Sequence, residues 1–389
     1  MTITNDIRYV GVDDHEIDLF EGQYIVPNGM AYNSYVVLGS EKTAVMDTVD
    51  ERFRDKWMEN VGAALGGRAP DYLVVHHMEP DHSACIADFA KAYPQATLVA
   101  SAQAFAMMKN YFGDDFANRR MVVKEGDSLS LGKHLLKFVA APMVHWPEVI
   151  VTYDATAKAL FSADGFGKFG ALDREDPEGW DCEARRYYFG IVGKFGAQVQ
   201  SLLKKAATLD IELILPLHGP IHADKAMIAH VVKQYLTWSA YEVESDGVAV
   251  AYTSVYGHTR EAALKFAEML TAKGCKASVT DLARGDLHEA IEDAFRYGKL
   301  VLATTTYNAE IFPIMRNFIA NLLERNYCKR KLGVIENGTW APVAAKAIKE
   351  LFAGSKDVEF VEPTVTIKGA LNEASLSQLE KLADEIVKA

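Results

Sequence analysis

The stretch "YLVVHHMEPDHSACIADFAKAY", Tyr72 to Tyr93, restricts the fold more than any other part of the chain. An apolar run of the buried-strand type leads straight into His76, His77, Glu79, Asp81 and His82. Like charges stacked there repel. Each carboxylate beside an apolar core also loses hydration that nothing apolar replaces. A bound cation would compensate both costs, so the chain reads as one that buries a strand and gathers metal-binding groups at its mouth.

At 389 residues the chain exceeds what one hydrophobic core usually supports, and two domains are expected. The net charge of −12 argues against nucleic acid as a partner. Cys85, Cys182, Cys275 and Cys328 show no C-x-x-C spacing, which speaks against disulfides and against a cysteine-ligated iron site. The N-terminus lacks the basic-then-apolar order of a signal peptide, and no apolar run reaches membrane-span length; a cytoplasmic protein is expected.

Residues 1 to about 50 alternate short β-type runs ("DIRYVGV", "QYIVP", "SYVVLGS", "KTAVMDTV") with turns. Helical and strand patterns then alternate to about residue 112. A second strand-rich block runs through "LFSAD", followed by one long helix ("ARRYYFGIVGKFGAQVQSLLKKAATL"), the strand "IELILPL" and a helix through about Ser239. Two strand-rich halves flanked by helices predict an αββα sandwich. From Val248 the strands become continuous apolar runs separated by helices ("VAVAYTS", "KASVTDL", "KLVLATTT", "KLGVIEN", "VTIKG"), the texture of a doubly wound parallel sheet. The boundary is placed at Asp246–Gly247, giving domains 1–246 and 247–389.

Along an extended segment, residues two apart project the same way, so His77 and Glu79 face one side. Asp81 and His82 follow as the chain turns into a helix and approach from another angle. Taken singly, Asp81 reads as well as a helix cap and His77 as a core histidine; together, H-x-E-x-D-H after a buried strand reads as a metal loop. His145 in "APMVHWPE", Asp164 in "LFSADGFG" and His218 in "ILPLHGP" each follow an apolar run beside Gly or Pro. His76 is out of phase with the ligand pattern and suits a core or supporting role. His222 rivals His218.

This first part resembles the metallo-β-lactamase superfold, whose pattern is H-x-H-x-D-H followed by His, Asp and His. Glu79 stands where zinc hydrolases of that fold carry a second histidine. The swap makes the site harder and more anionic, favouring iron or manganese over zinc. The resemblance implies that His77, Glu79, His145 and Asp164 hold one iron, and that Asp81, His82, His218 and a bridging Asp164 hold the other.

In the second part, "AYTSVYGHTREAALKFAEML" places Thr253, Ser254, Val255, Tyr256, Gly257, His258 and Thr259 between a strand and a helix. Hydroxyls and backbone N–H groups at a helix start make an anion cradle. The order T-x-S-x-Y-G-x-T resembles the phosphate loop of flavodoxins, which hold FMN. Two further loops after buried strands fit that resemblance. One supplies Thr305, Thr306, Tyr307, Asn308, Glu310 and Ile311, the other Asn337, Gly338, Thr339 and Trp340. Tyr307 or Trp340 would lie against an isoalloxazine ring and Asn308 would bond its polar edge.

The two parts in this order resemble the flavodiiron proteins (A-type flavoproteins), in their minimal two-domain form. The resemblance implies an oxidoreductase reducing O2 to water, NO to N2O, or both, at a non-haem pair of irons supplied through FMN. It also implies a head-to-tail homodimer, or a dimer of dimers, that brings each FMN beside the partner's irons. No G-x-G-x-x-G opens either domain, so the reductant is expected to be another protein, a rubredoxin first, or coenzyme F420 in a methanogen. The rival reading is a zinc hydrolase of the lactamase superfold fused to a flavodoxin-like electron-transfer module, against which Glu79 speaks.

Overall fold

The computed structural model describes residues 2–174, 176 and 179–389. They form two compact units, Met1–Leu236 and Thr237–Ala389.

The first unit is built on two sheets. The six-stranded sheet runs Ile7–Tyr9, Tyr35–Leu38, Thr43–Met46, Tyr72–Val74, Thr97–Ala100, Arg120–Val122, antiparallel at its start and parallel from Thr43–Met46 onward. The five-stranded sheet runs Ser128–Ser130, Leu135–Ala140, Ile150–Asp154, Ala159–Phe161, Leu213–Leu215. Its first four strands alternate in direction and the last two are parallel.

Alternation along each strand divides the core. Val37, Ala44, Met46, Val74 and Val99 meet Leu136, Phe138, Ile150, Phe161 and Leu215 between the sheets. Their neighbours Val36, Val45, Leu73 and Leu98 face the other way, onto Trp57, Val61, Phe89 and Met108. The latter group lies on the helices Arg54–Leu65, Ile86–Ala92 and Ala102–Phe112. A period of two with both phases apolar is what a sheet covered on both faces requires, and the expected αββα layering follows.

Two local expectations differ. The run "QYIVP" forms only the short pair Leu19–Phe20 with Tyr24–Ile25, outside the main sheets. The long helix is interrupted. It runs Trp180–Tyr187, widens to a π turn over Tyr188–Val192, tightens to a 3-10 turn over Gly193–Phe195 and resumes at Gly196–Ala206. The cause is a close approach. The Tyr24 hydroxyl donates to the Gly190 carbonyl at 2.8 Å, and a Cβ on Gly190 would sit 2.8 Å from the Tyr24 ring.

The second unit carries a parallel sheet in the order Ala277–Asp281, Ser245–Tyr252, Tyr297–Tyr307, Arg330–Asn337, Val358–Phe360, with Val365–Ile367 also beside Arg330–Asn337. Val248, Val250, Val301 and Ile335 pack under the helices His258–Ala272 and Glu373–Lys388 through Phe266, Leu270, Leu382 and Ile386. Strand order reverses between Ser245–Tyr252 and Tyr297–Tyr307, where doubly wound sheets open a crevice at their carboxyl edge. Residues 237–246 belong compactly to this unit: the buried Arg330 guanidinium donates to the carbonyls of Tyr241 (2.8 Å) and Phe295 (2.5 Å).

Candidate metal centre and cofactor cleft

The strand Tyr72–Val74 delivers His77 and Glu79, and the short helix Pro80–Ser83 carries Asp81 and His82. His145 follows Leu135–Ala140, Asp164 follows Ala159–Phe161 and His218 follows Leu213–Leu215. Those three strands run the same way in the second sheet, so their carboxyl ends share one edge. This is why residues up to 141 positions apart in sequence (His77 to His218) converge.

They converge as two groups: His77, Glu79, His145 and Asp164, and Asp81, His82 and His218. In the first, His145 Nε2 lies 3.0 Å from Glu79 Oε2, 3.0 Å from Asp164 Oδ2 and 3.2 Å from His77 Nε2. In the second, His82 Nε2 lies 2.9 Å from His218 Nε2, which is 3.3 Å from Asp81 Oδ2. Asp164 faces both groups, with Oδ2 toward His77 and His145 and Oδ1 3.3 Å from His82 Nε2.

The donor set fits two cations. Asp81 does not cap its helix: both its oxygens are buried without a hydrogen-bond partner. Ring nitrogens within 2.9–3.2 Å of each other need a shared proton or a positive ion between them. Burial opposes charge on these groups, yet the opposite charges around them prevail. Hydrogen bonds to Asp164 and Glu79 overcome that burial and push His145 up to about 9. His77 and His82 are raised as well, with Asp164 contributing to both. Glu79 and Asp164 are held below the usual carboxylate range by the histidines around them. The fold has thus gathered carboxylates and imidazoles whose mutual charges favour a cation among them.

The other candidates fall outside the two groups. His76 is a supporting residue: its Nδ1 pairs with Asp47, its Nε2 meets Thr152 Oγ1 at 2.7 Å, and its ring stacks on Phe161. His222 Nε2 contacts the Phe166 carbonyl at 3.1 Å and packs edge-on against Trp180. Geometry therefore joins His218, not His222, to the cluster.

Sequence reasoning did not single out Glu148. It is buried, and its Oε1 accepts from His77 Nδ1 and from Met78 N, each at 2.8 Å. A carboxylate three residues after a candidate ligand was the available signal. Glu21 was also missed. Desolvation and the nearby Glu79 charge push its carboxyl up to about 7. Phe20, Tyr32 and Tyr187 surround the His218 ring edge-on at centroid distances of 5.4, 6.0 and 5.7 Å.

The second unit holds a cleft of about 390 Å³ at its crevice. Of the residues expected there, Ser254, Val255, Tyr256, His258, Thr259, Thr305, Thr306, Tyr307, Asn308, Asn337, Gly338, Thr339 and Trp340 line it. Thr253 lies behind, its hydroxyl bonded to that of Thr304 at 2.7 Å. Gly257 turns the loop at φ +100° and caps His258–Ala272. Glu310 and Ile311 border a neighbouring hollow instead. Ala309, Ala341 and Gly369 complete the lining. Ala309 and Ala341 lie within the two loops the sequence marks; Gly369 carries no such signal, although it is tied in by paired bonds to Asn337 of 2.9 and 3.0 Å.

Tyr256 and Trp340 are 93% and 81% exposed, which leaves two aromatic faces free at the rim for a flat ring. A helix start beneath hydroxyls suits a phosphate. The lining therefore fits a flavin mononucleotide.

A family model described as ODP family beta lactamase matches residues 30–219. An uncharacterized protein of Methanocaldococcus jannaschii is 29% identical, with 99% of this chain and 98% of that one aligned. A putative diflavin flavoprotein A 2 of Synechocystis is 31% identical over 84% of this chain, but this chain spans only 56% of its length. A protein named nitric oxide reductase from Moorella thermoacetica is 27% identical over 99% of this chain and 98% of its own. Among solved structures, the flavodiiron protein of Giardia intestinalis superposes with a TM-score of 0.92 at 26% identity, covering 99% and 95% of the two chains. The rubredoxin oxygen:oxidoreductase of Desulfovibrio gigas gives 0.92 at 24%, covering 100% and 98%, a likeness of fold.

Fold and site define a metallo-β-lactamase-like unit with a two-cation donor set, followed by a flavodoxin-like unit with a nucleotide cleft. Within that class the chain is similar over nearly its whole length to a protein named nitric oxide reductase and to a solved flavodiiron protein.

Proposed function

We propose that this protein is a flavodiiron oxidoreductase that reduces NO to N2O, O2 to water, or both, with electrons entering through FMN. The observation that carries the reading is Asp164, one oxygen toward each donor group, with Glu79 among the donors. Relatives named nitric oxide reductase and anaerobic nitric oxide reductase flavorubredoxin support it. The zinc-hydrolase alternative is not favoured, since a carboxylate-rich set selects harder ions.

In this reading His77, Glu79, His145 and Asp164 hold one iron, and Asp81, His82, His218 and Asp164 the other. A pair of ferrous ions supplies two electrons and two adjacent binding positions for a small diatomic. The protein's own residues do the rest. Asp164 fixes the spacing of the two positions. The rings of Phe20, Tyr32 and Tyr187 exclude water around His218. The Ser254–Thr259 loop would hold the phosphate, and Trp340, with Tyr256 or Tyr307, would lie against the ring.

The first unit would carry the metal chemistry and the second the flavin, in a cytoplasmic protein. Among the described residues no helix is long and apolar enough to cross a membrane. A rubredoxin-like protein would donate electrons, with coenzyme F420 as the alternative. A head-to-tail homodimer, alone or paired into a dimer of dimers, would place each flavin by the partner's irons.

The test is anaerobic reduction of the pure protein, then separate exposure to O2 and to NO with product detection. N2O from NO, or consumption of O2 without released hydrogen peroxide, is expected. Stoichiometric zinc with esterase activity would overturn the assignment.

A further inference from the structure

The two donor groups are supported differently from behind. His77 Nδ1 donates to Glu148 Oε1 at 2.8 Å, and the same oxygen takes the Met78 backbone N–H at 2.8 Å. Glu148 is 2% exposed, and its Oε2 is buried without a hydrogen-bond partner. In the second group His218 Nδ1 donates to the neutral Ala31 carbonyl at 2.8 Å, and His82 Nδ1 has no hydrogen-bond partner. One position thus has a carboxylate behind its histidine, and the other has only a peptide dipole.

We infer that Glu148 is a positioning residue that makes the two metal positions unequal. Its acceptor fixes the His77 tautomer, with the proton on Nδ1 and the Nε2 lone pair turned to the metal. Its bond to Met78 N sets the backbone between His77 and Glu79, so one oxygen aligns two ligands. Its negative charge strengthens the imidazole as a donor and favours the higher oxidation state at the His77 position. Both positions share Asp164 and each has one further carboxylate of its own, Glu79 or Asp81. Behind the ligand imidazoles, the supporting carboxylate is what separates them. The iron held by His77, Glu79 and His145 is the more tightly bound and the first to be oxidised.

This inference rests on the two-iron reading, and its test keeps the two apart. The metal-free full-length protein is titrated with Fe(II) under anaerobic conditions, beside Glu148→Gln and Glu148→Asp. Gln keeps an oxygen acceptor without the charge, and Asp keeps the charge on a shorter arm. In the wild type two unequal binding steps are expected. Glu148→Gln should weaken the tighter step by about 10–100-fold and leave the looser one within about twofold. In the loaded proteins, Mössbauer spectra after removal of one electron should show ferric iron at one position in the wild type. That localisation should be lost in Glu148→Gln and retained in Glu148→Asp.

Two equal steps in a wild type that holds two irons, or two steps weakened equally in Glu148→Gln, would overturn the inference and leave the two-iron reading standing. A wild type that binds no iron pair would overturn both. Circular dichroism separates a misfolded variant from a folded one, and if Glu148→Gln does not fold, the wild-type titration and spectrum still decide.

Discussion

Asp164 matters most for the metal site, because among the described carboxylates it alone faces both donor groups. Asp164→Ala should leave less than one iron per chain and no NO or O2 reduction, measured by metal analysis and gas uptake on anaerobically prepared protein. His218→Ala should lose one iron, while His222→Ala keeps both, since His222 is spent on the Phe166 carbonyl. The metal-free protein should also show a distinct pH response. Raised histidine pKa values contribute stability that is complete below about 6.5 and is lost as pH rises through the folded value, about 9 for His145. Thermal unfolding should therefore show the metal-free form losing stability between pH 7 and 10. The loaded form, whose ions replace those protons, should lose less, and metal uptake at neutral pH should release protons to the buffer.

The seven donors were legible because each follows an apolar run and ends beside Gly, Pro or another polar ligand. Glu148 was not, because a supporting carboxylate has no spacing rule of its own; only the folded chain brings it to His77. The sequence favours His218 over His222 only through the strand end at "HGP" and the match to the superfold. They are separated by what their ring nitrogens meet, which depends on partners far away in sequence.

At the scale of elements, the parallel strands of the second unit were readable because burial on both faces leaves continuous apolar runs. The Gly257 turn was readable because a helix start preceded by hydroxyls needs a residue at ease with positive φ. The break within residues 180–206 was hidden, since helical periodicity continues straight through it. What breaks the helix is Tyr24, arriving from the opposite end of the unit's sequence and hydrogen-bonding the Gly190 carbonyl. Gly190→Ala would press a Cβ into that ring and should destabilise the protein by about 1–3 kcal/mol, read from denaturant unfolding. The damage should extend to the site, because Tyr187 in the preceding turn packs on His218. Gly257→Ala meets no steric neighbour but imposes φ +100° on a Cβ. It should cost about 1–3 kcal/mol of local strain and weaken FMN retention on dilution, while iron content stays unchanged.

For the whole molecule, the division of labour between two compact units carries its own consequence. If the working form is a head-to-tail dimer, specific activity should fall as dilution dissociates it, with sedimentation run in parallel. Full activity in a proven monomer would remove the dimer from the account. The chain's order of parts was legible from the change of strand texture near Val248. The packing of residues 237–246 with the second unit was not, because it depends on Arg330 reaching the Tyr241 carbonyl, a contact 89 positions apart. The most direct measurement of the central claim is metal and flavin analysis of the full chain, expressed and purified without oxygen. Close to two irons and one FMN per chain are expected, with zinc a minor component. A colourless protein that takes up neither iron nor flavin on reconstitution would contradict it.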